Sequence, residues 1–205
     1  MIVVIDYGLG NLGSIKNMLR KIGYDSEISS EAKVLDQASK IILPGVGSFD
    51  TGMSKLNDLG LVPLLNKKVN DEKTPVLGIC LGAQLMCQSS EEGELNGLGW
   101  FDAKVLAFKG RFDSGKELPV PNMGWLDVTV KKENVLIGNL PLNPRFYFVH
   151  SYFMASNQTE DILLSSNYSF DYTSALHKEN IYGVQFHPEK SHKYGFKLLK
   201  NFAEI

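Results

Sequence analysis

The first half of the chain alternates short apolar runs with amphipathic segments, and this alternation restricts the fold more than any other feature. Three runs are rich in β-branched and aliphatic residues, as is typical of strands buried on both faces of a sheet: 2–5, 41–43 and 76–79. Between the first two, apolar residues recur at helical spacing from Leu12 to Ile22, and Gly23 follows where a helix often ends. The segment 56–69 also has helical spacing, interrupted at Gly60. Strands that alternate with helices predict an α/β fold, with an open, mostly parallel twisted sheet flanked by helices.

The second half of the chain has shorter apolar runs, separated by turns that contain Gly, Pro and Asn. These runs lie at 105–112, 128–130, 146–149 and 162–164, before a last strand at 181–186 and a terminal helix with apolar residues from Tyr194 to Phe202. We expect this half to add a mixed or antiparallel portion to the sheet. Because no repeat, low-complexity segment or linker divides the sequence, we predict a single domain over residues 1–205.

Charge and hydropathy exclude some classes of partner. The chain has 21 Lys+Arg against 23 Asp+Glu, a formal net charge of −2, whereas phosphate-backbone binding requires clustered cations. We therefore expect no nucleic-acid partner. No apolar run reaches the roughly 20 residues that span a bilayer, and the first residues lack the basic start of a signal peptide. We expect no membrane association and a cytoplasmic location.

The cysteines and histidines do not predict a metal site. Cys80 and Cys87 are two helical turns apart, a distance of about 10 Å that is too long for a disulfide. They form no CxxC pair, and the histidines are scattered rather than clustered at zinc-ligand spacing. We therefore predict no disulfide, no metal and no cofactor.

A G-x-C-x-G pattern, Gly78-Ile79-Cys80-Leu81-Gly82, follows the third apolar run and precedes a helical segment. It is the cysteine counterpart of the nucleophile elbow, in which glycines let a strand turn sharply into a helix and expose the reactive side chain. A helix N-terminus after the cysteine favours the reactive thiolate. The alternative for Cys80 is a small buried cysteine packed beside glycines.

A general base and its orienting group could come from the end of the chain. His187 directly follows the last predicted strand, and Glu189 is two residues further on. A carboxylate bonded to one imidazole nitrogen fixes the tautomer, so that the other nitrogen can accept the Cys80 proton. Oxyanion donors could be the Leu81 N–H and the turn at 44–47. A histidine at a strand end and a glycine-rich turn are each often only structural, but together with Cys80 they indicate acyl transfer.

These motifs, in this order, resemble those of the class I (triad) glutamine amidotransferases, which have a flavodoxin-like fold. The resemblance covers the whole chain and rests on LGICLGAQ at 77–84, PGVG at 44–47 and QFHPEKS at 185–191. Within that family, DYGLGNL at 6–12, PNMGW at 121–125 and FVHSY at 148–152 are similar to the glutaminase subunits of imidazole glycerol phosphate synthase.

The resemblance implies a role for each matching residue. Cys80 would attack the glutamine carboxamide, His187 would protonate the leaving ammonia and Glu189 would orient His187, after which water releases glutamate from the thioester. The oxyanion would be held at Val46, Gly47 and Leu81, and L-glutamine would be held by Gln84, Glu92 and the backbone of His150, Ser151 and Tyr152.

The same resemblance implies a partner that receives the ammonia, a cyclase subunit with a (β/α)₈ barrel that forms a heterodimer with the glutaminase. The family's interface positions match Asn11, Trp125, Tyr147 and Lys190. For Trp125 and Tyr147 the alternative is an ordinary core position.

The sequence departs from the family's usual Pro-His-Met-Gly-Trp-Asn pattern, because Asn122 and Leu126 stand at two of its positions, and the segment 108–112 is also unusual. The triad is unaffected, but the ammonia acceptor is left open between the histidine-pathway ribonucleotide and a sugar of surface-polysaccharide synthesis. Two other classes are a cysteine peptidase, against which Gln84 and Glu92 count, and a silent binding subunit, which would not need a complete triad.

Overall fold

The computed structural model describes residues 1–113 and 115–205. Within these residues, one large sheet contains eleven strands and two further sheets contain two strands each. The strands are β1 (Ile2–Ile5), β2 (Ser26–Ser29), β3 (Lys40–Gly45), β4 (Val76–Cys80), β5 (Ser89–Ser90), β6 (Ala103–Ala107), β7 (Phe112–Asp113), β8 (Lys116–Glu117), β9 (Asn122–Asp127), β10 (Thr129–Val130), β11 (Arg145–His150), β12 (Tyr152–Ser156), β13 (Ile162–Asn167), β14 (Asp171–Lys178) and β15 (Ile181–Val184). The α-helices are α1 (Leu12–Lys21), α2 (Ala32–Asp36), α3 (Phe49–Asp58), α4 (Leu61–Asn66), α5 (Leu81–Leu85) and α6 (His192–Glu204).

One side of the large sheet is parallel, as predicted. Its order is β2-β1-β3-β4-β15, and each neighbouring pair runs in the same direction. The three apolar runs of the first half form β1, β3 and β4. β2 was not predicted, because its sequence SEIS contains one apolar residue. Since β2 lies at the edge of the sheet, it needs less apolar surface than the central strands.

Beyond β15 most strand pairs are antiparallel, and the short β5 pairs parallel with β6 at the edge, which confirms the mixed portion expected in the second half. β14 pairs antiparallel with β15, β12 and β13, and β6 pairs antiparallel with β12. Two predicted strands end earlier than expected. β6 stops at Ala107, and the N–H of Phe108 instead donates to the Ser151 carbonyl. β15 stops at Val184, because the chain turns there and the N–H of His187 donates to the Tyr147 carbonyl outside the large sheet.

Both faces of the parallel strands are buried, since successive strand residues join opposite apolar cores. On one face Val4 and Ile42 pack with Leu19 of α1 and Phe202 of α6. On the other face Val3 and Ile41 belong to a core that α3, α4 and α5 complete with Phe49, Leu65 and Leu85. This two-sided burial explains why β1 and β4 have no charged residue and why β3 has only one, Lys40 at its first position.

The helices in the first half of the chain are short, and Gly60 and Cys80 lie at two of their boundaries. Gly60, with φ +64°, separates α3 from α4 as predicted, and a π-helical turn at Lys67–Asp71 follows α4. We expected Cys80 and Cys87 to be separated by two turns of one helix. The helix after Cys80 has only five residues, so the two cysteines do not lie on one continuous helix. None of the helices in the described part of the chain is long and apolar enough to cross a membrane.

Candidate active site

Cys80 lies at a sharp turn between β4 and α5, where it has φ +53° and ψ −111°. Few residues with a side chain adopt this backbone conformation, and those that do are concentrated at functional sites. The flanking glycines are required by close packing. A Cβ at position 82 would lie 2.7 Å from the Leu43 carbonyl carbon, and a Cβ at position 78 would lie 2.7 Å from Cα of Ala83. The turn therefore depends on glycine at both positions.

His187 and Glu189 form a buried pair on the loop that follows β15. The imidazole Nδ1 lies 2.7 Å from Oε1 of Glu189, and both side chains are 2% exposed. An ionised carboxylate can accept a hydrogen bond but cannot donate one, so Nδ1 carries the proton of the bond to Glu189. Nε2 has no hydrogen-bond partner of ordinary geometry among the described residues. It is therefore the nitrogen available for proton exchange with Cys80.

The electrostatics of this pair favour a charged imidazole. Burial lowers the pKa of His187, but interactions with Cys80 and Glu189 outweigh it and raise that pKa to about 10. A thiolate at Cys80 and an imidazolium at His187 would thus stabilise each other, as expected for an activated cysteine nucleophile.

We expect His187 to stay protonated through neutral pH and to lose its proton as the pH approaches about 10. Because this pKa lies above the ordinary value of 6.5, the charge stabilises the fold fully below pH 6.5, and this contribution disappears as the pH rises towards 10. In Glu189→Gln the carboxylate is lost while burial remains, so the pKa of His187 falls. An NMR titration of the imidazole in both proteins measures the difference. Substitution of the exposed His192 by Gln is the control, and an unchanged His187 titration in Glu189→Gln would contradict the assignment.

The turn after β3 lies beside Cys80 and contains two of the predicted oxyanion residues. Val46 and Gly47 line the same cleft as Cys80 and Leu81. Gly47 has φ +114°, a conformation that favours glycine. The base of the turn is held by Tyr7, whose buried hydroxyl donates to the Pro44 carbonyl over 2.6 Å. Sequence reasoning gave Tyr7 no role, because its partner lies on a different strand.

Two of the predicted glutamine-binding side chains are already held in place. Gln84, on α5, donates from Nε2 to the Tyr152 carbonyl and to Oε1 of Gln185, both over 3.1 Å. Glu92 accepts the backbone N–H of Phe49 at the start of α3 over 2.8 Å. Burial raises the pKa of Glu92, the Phe49 bond lowers it and the nearby Asp50 raises it, with a net increase.

The His150 side chain belongs to a buried polar network rather than pointing freely to a ligand. Its Nδ1 lies 2.7 Å from the Tyr152 carbonyl, so Nδ1 carries the proton. Its Nε2 faces the Asn122 amide at 3.3 Å and the Tyr172 hydroxyl at 3.4 Å. Burial lowers the pKa of His150 to about 4, so the ring is neutral. Asn122, one of the departures from the family pattern, thus serves as a donor to His150.

The predicted catalytic, oxyanion and glutamine-binding residues converge on one cleft of about 350 Å³ at the carboxyl ends of β3, β4 and β15. Ligands bind at this end of parallel sheets in α/β proteins. Glu189 does not line the cleft but lies behind His187. Sequence reasoning did not identify Pro121 and Val149 as part of it. The residues that line the cleft are Val46, Gly47, Cys80, Leu81, Gln84, Glu92, Pro121, Val149, His150, Ser151, Tyr152, His187 and Lys190.

Beside the cleft, β9 and β11 form a two-stranded ribbon in which Trp125 lies opposite Tyr147. Their ring centroids are 6.3 Å apart, and Nζ of Lys190 lies 5.7 Å from the Tyr147 centroid. Both aromatic residues are partly exposed, so neither is a fully buried core position. Asn11 is exposed at the start of α1 and does not line the cleft.

No group of three or more His, Cys, Asp or Glu side chains within 1–113 and 115–205 is arranged to hold a metal ion.

Comparison with known proteins gives the family. The family model described as glutamine amidotransferase class-I matches residues 3–205. Imidazole glycerol phosphate synthase subunit HisH 2 of Methanococcus maripaludis is 54% identical, with 100% of this chain and 99% of that protein covered. HisH 2 of Pseudomonas aeruginosa is 47% identical over 100% of both chains. A solved glutamine amidotransferase structure, 18% identical, superimposes with a TM-score of 0.72 over 100% of this chain and 98% of its own. The chain belongs to the glutamine amidotransferase class-I family and, within it, to the HisH subunits of imidazole glycerol phosphate synthase.

Proposed function

We propose that this chain is a glutaminase subunit that hydrolyses glutamine to glutamate and ammonia through Cys80, His187 and Glu189. One observation carries the proposal: Cys80, in a strained strand-to-helix turn, opens into the same cleft as His187, whose other ring nitrogen is bound by Glu189 over 2.7 Å. This is the arrangement of nucleophile, base and orienting group that covalent catalysis requires.

In the first half-reaction the Cys80 thiolate attacks the carboxamide carbon of glutamine. Negative charge then develops on the carboxamide oxygen, beside the Leu81 N–H and the turn of Val46 and Gly47. The imidazolium of His187 gives its proton to the leaving nitrogen, the C–N bond breaks and ammonia departs, which leaves a glutamyl thioester. Water then attacks the thioester while His187 accepts a proton, and glutamate and the free thiol result.

The charge of the cleft favours a free amino acid over a peptide. Glu92 is a half-buried carboxylate on the cleft wall, and an ionised carboxylate matches the α-ammonium of free glutamine. A peptide bond has no such charge at that position. This feature argues against the peptidase alternative, and the intact Cys80–His187–Glu189 geometry argues against a silent binding subunit.

We expect Glu92→Gln to raise KM for glutamine by about tenfold, because a charge-assisted bond contributes about 1.5–3 kcal/mol, while kcat changes less. Glutamate release at a series of glutamine concentrations measures both constants. Glu91→Gln is the matched control: Glu91 accepts the Ala107 N–H and does not line the cleft. Cleavage of a peptide or ester substrate by the chain, without glutamate release from glutamine, would contradict the proposed function.

We further infer that the ammonia passes to a (β/α)₈-barrel cyclase subunit that makes imidazole glycerol phosphate and an aminoimidazole carboxamide ribonucleotide in histidine biosynthesis. The relatives' names describe subunits of imidazole glycerol phosphate synthase. In support, Trp125, Tyr147 and Lys190 form a half-exposed aromatic and basic surface next to the cleft. Aromatic residues at such positions often dominate binding energy in interfaces.

A second acceptor is favoured by one observation on the relatives. Both HisH relatives above carry the number 2 in their names, which indicates organisms with more than one such subunit. A second copy can deliver ammonia to a different synthetase, such as one that amidinates a surface-polysaccharide sugar. Stimulation by one partner and not by the other distinguishes these two acceptors.

A further inference from the structure

Gln185 is completely buried between the nucleophile and a glutamine-binding residue. It is 0% exposed and directly follows β15. Its Nε2 lies 3.8 Å from Sγ of Cys80, within hydrogen-bond range for sulfur, and its Oε1 accepts from Nε2 of Gln84 over 3.1 Å. Its backbone N–H is used elsewhere, on the Ser174 carbonyl at 2.9 Å. Its side chain therefore contacts both Cys80 and Gln84.

The hydrogen-bond network fixes the orientation of the Gln185 amide. The Tyr152 carbonyl can only accept, so Gln84 must turn Nε2 towards it. The same Nε2 lies 3.1 Å from Gln185, which must therefore present Oε1 to Gln84. The remaining end of the Gln185 amide, an N–H donor, faces the sulfur of Cys80.

The Tyr152 carbonyl that fixes this order is itself held in place. Nδ1 of His150 lies 2.7 Å from it, and Asn122 and Tyr172 hold the other nitrogen of the ring. The polarity of the Gln185 amide thus depends on a buried network that continues to the β9–β11 ribbon.

An amide donor facing a cysteine has a chemical consequence. A neutral thiol is a weak acceptor, whereas a thiolate is a charged one, so the same N–H stabilises the thiolate more strongly. The difference is larger in a site from which water is excluded. A donor fixed in this way also restricts the position of the sulfur.

We propose that Gln185 is a positioning residue whose amide N–H stabilises the Cys80 thiolate while its carbonyl oxygen fixes the direction of the Gln84 amide. The inference rests on the proposed function in one respect, that Cys80 is the nucleophile. In this arrangement the Gln185 amide is a second hydrogen-bond donor near the nucleophile, in addition to the imidazole of His187.

A substitution at Gln185 does not remove any of the titratable groups around Cys80. His187, with Glu189 behind it, faces the sulfur, and Tyr7 lies close enough to interact with it electrostatically. The remaining titratable side chains that line the cleft are Glu92, His150, Tyr152 and Lys190. A change in Cys80 reactivity can therefore be assigned to the amide.

The test is the pH dependence of Cys80 alkylation by iodoacetamide in Gln185→Met, measured on the full chain by mass spectrometry of the peptide that contains Cys80. Methionine is similar in length and adapts to buried sites, but it offers no N–H. We expect the midpoint of the profile to rise by about one pH unit and kcat for glutamine to fall about tenfold. Cys87 does not interfere, because its side chain is completely buried.

A matched control is another buried amide that is not in the cleft. Asn201, on α6, donates from Nδ2 to the carbonyls of Leu136 and Gly138 over 2.9 and 2.8 Å. We expect Asn201→Leu to lower the unfolding temperature without moving the Cys80 profile. If Gln185→Met does not fold, Gln185→Leu tests the same loss of the donor.

An unchanged alkylation midpoint in a folded Gln185 variant would overturn the inference, even if the variant were less stable. That result is distinct from failure of the proposed function, which would appear as absence of glutamate release from the unsubstituted protein at every glutamine concentration.

Discussion

Cys80→Ser is expected to lose glutamine hydrolysis, with kcat reduced on the order of 10³-fold or more. Serine is similar in size and meets the same backbone demand at φ +53°, but a hydroxyl is a weaker nucleophile than a cysteine sulfur. The same substitution should prevent covalent labelling by a thiol-directed glutamine analogue, and it should leave binding to the partner intact. Glutamate release and the mass of the labelled protein measure the two effects.

The second cysteine provides the control for this prediction. Cys87 is fully buried, and burial raises its pKa to about 12, so it remains a thiol at neutral pH. Cys87→Ala should therefore retain hydrolysis and labelling, with a modest loss of stability from the small cavity. Persistence of hydrolysis in Cys80→Ser would show that another group is the nucleophile.

Gly82→Ala is expected to destabilise the protein by about 3 kcal/mol or more, as an overpacked core site does. The added methyl would lie 2.7 Å from the Leu43 carbonyl carbon. Because the atoms it would meet belong to the backbone of β3, no side chain can rotate away to make room. Either α5 or β3 must move, and these elements carry Leu81 and the turn of Val46 and Gly47. Glutaminase activity should therefore fall along with the free energy of unfolding, which denaturant titration measures.

Gly13→Ala is the matched control, since Gly13 lies in α1 and a Cβ there would have nothing within 4 Å. Alanine in a helix is favoured over glycine by about 0.5–1 kcal/mol, so this variant should be slightly more stable than the parent. Equal stability of Gly82→Ala and the parent would contradict the close packing at the Cys80 turn.

The sequence was sufficient for those parts of the fold that depend on local pattern. β1, β3 and β4 contain the continuous apolar runs 2–5, 41–43 and 76–79 because both faces of each strand are buried there, and Gly60 marks the break between α3 and α4. β14 was not predicted. Its centre contains Thr173 and Ser174, which are buried beside apolar neighbours, so neither alternation nor a continuous apolar run identifies it.

The same distinction applies to the site. Cys80, His187 and Glu189 could be proposed because each belongs to a short local motif. The glycine pattern surrounds Cys80, and the His-Pro-Glu segment contains the other two residues. The contacts of Gln185 could not, since its partners Gln84 and Cys80 are 101 and 105 residues away. The role of Asn122 depends likewise on contact with His150, 28 residues further on. Such roles follow from the folded arrangement and carry no local sequence signal.

Glutamate release from glutamine is the decisive measurement for hydrolysis at Cys80. The purified chain is assayed alone and with the histidine-pathway cyclase of the same organism, loaded with its ribonucleotide substrate, and Cys80→Ser is assayed in parallel. We predict Cys80-dependent release that the loaded cyclase strongly stimulates. Stimulation by a sugar-amidinating synthetase instead would keep the chemistry and change the acceptor. Absence of glutamate in every mixture, with Cys80 left unlabelled by a glutamine analogue, would contradict the account.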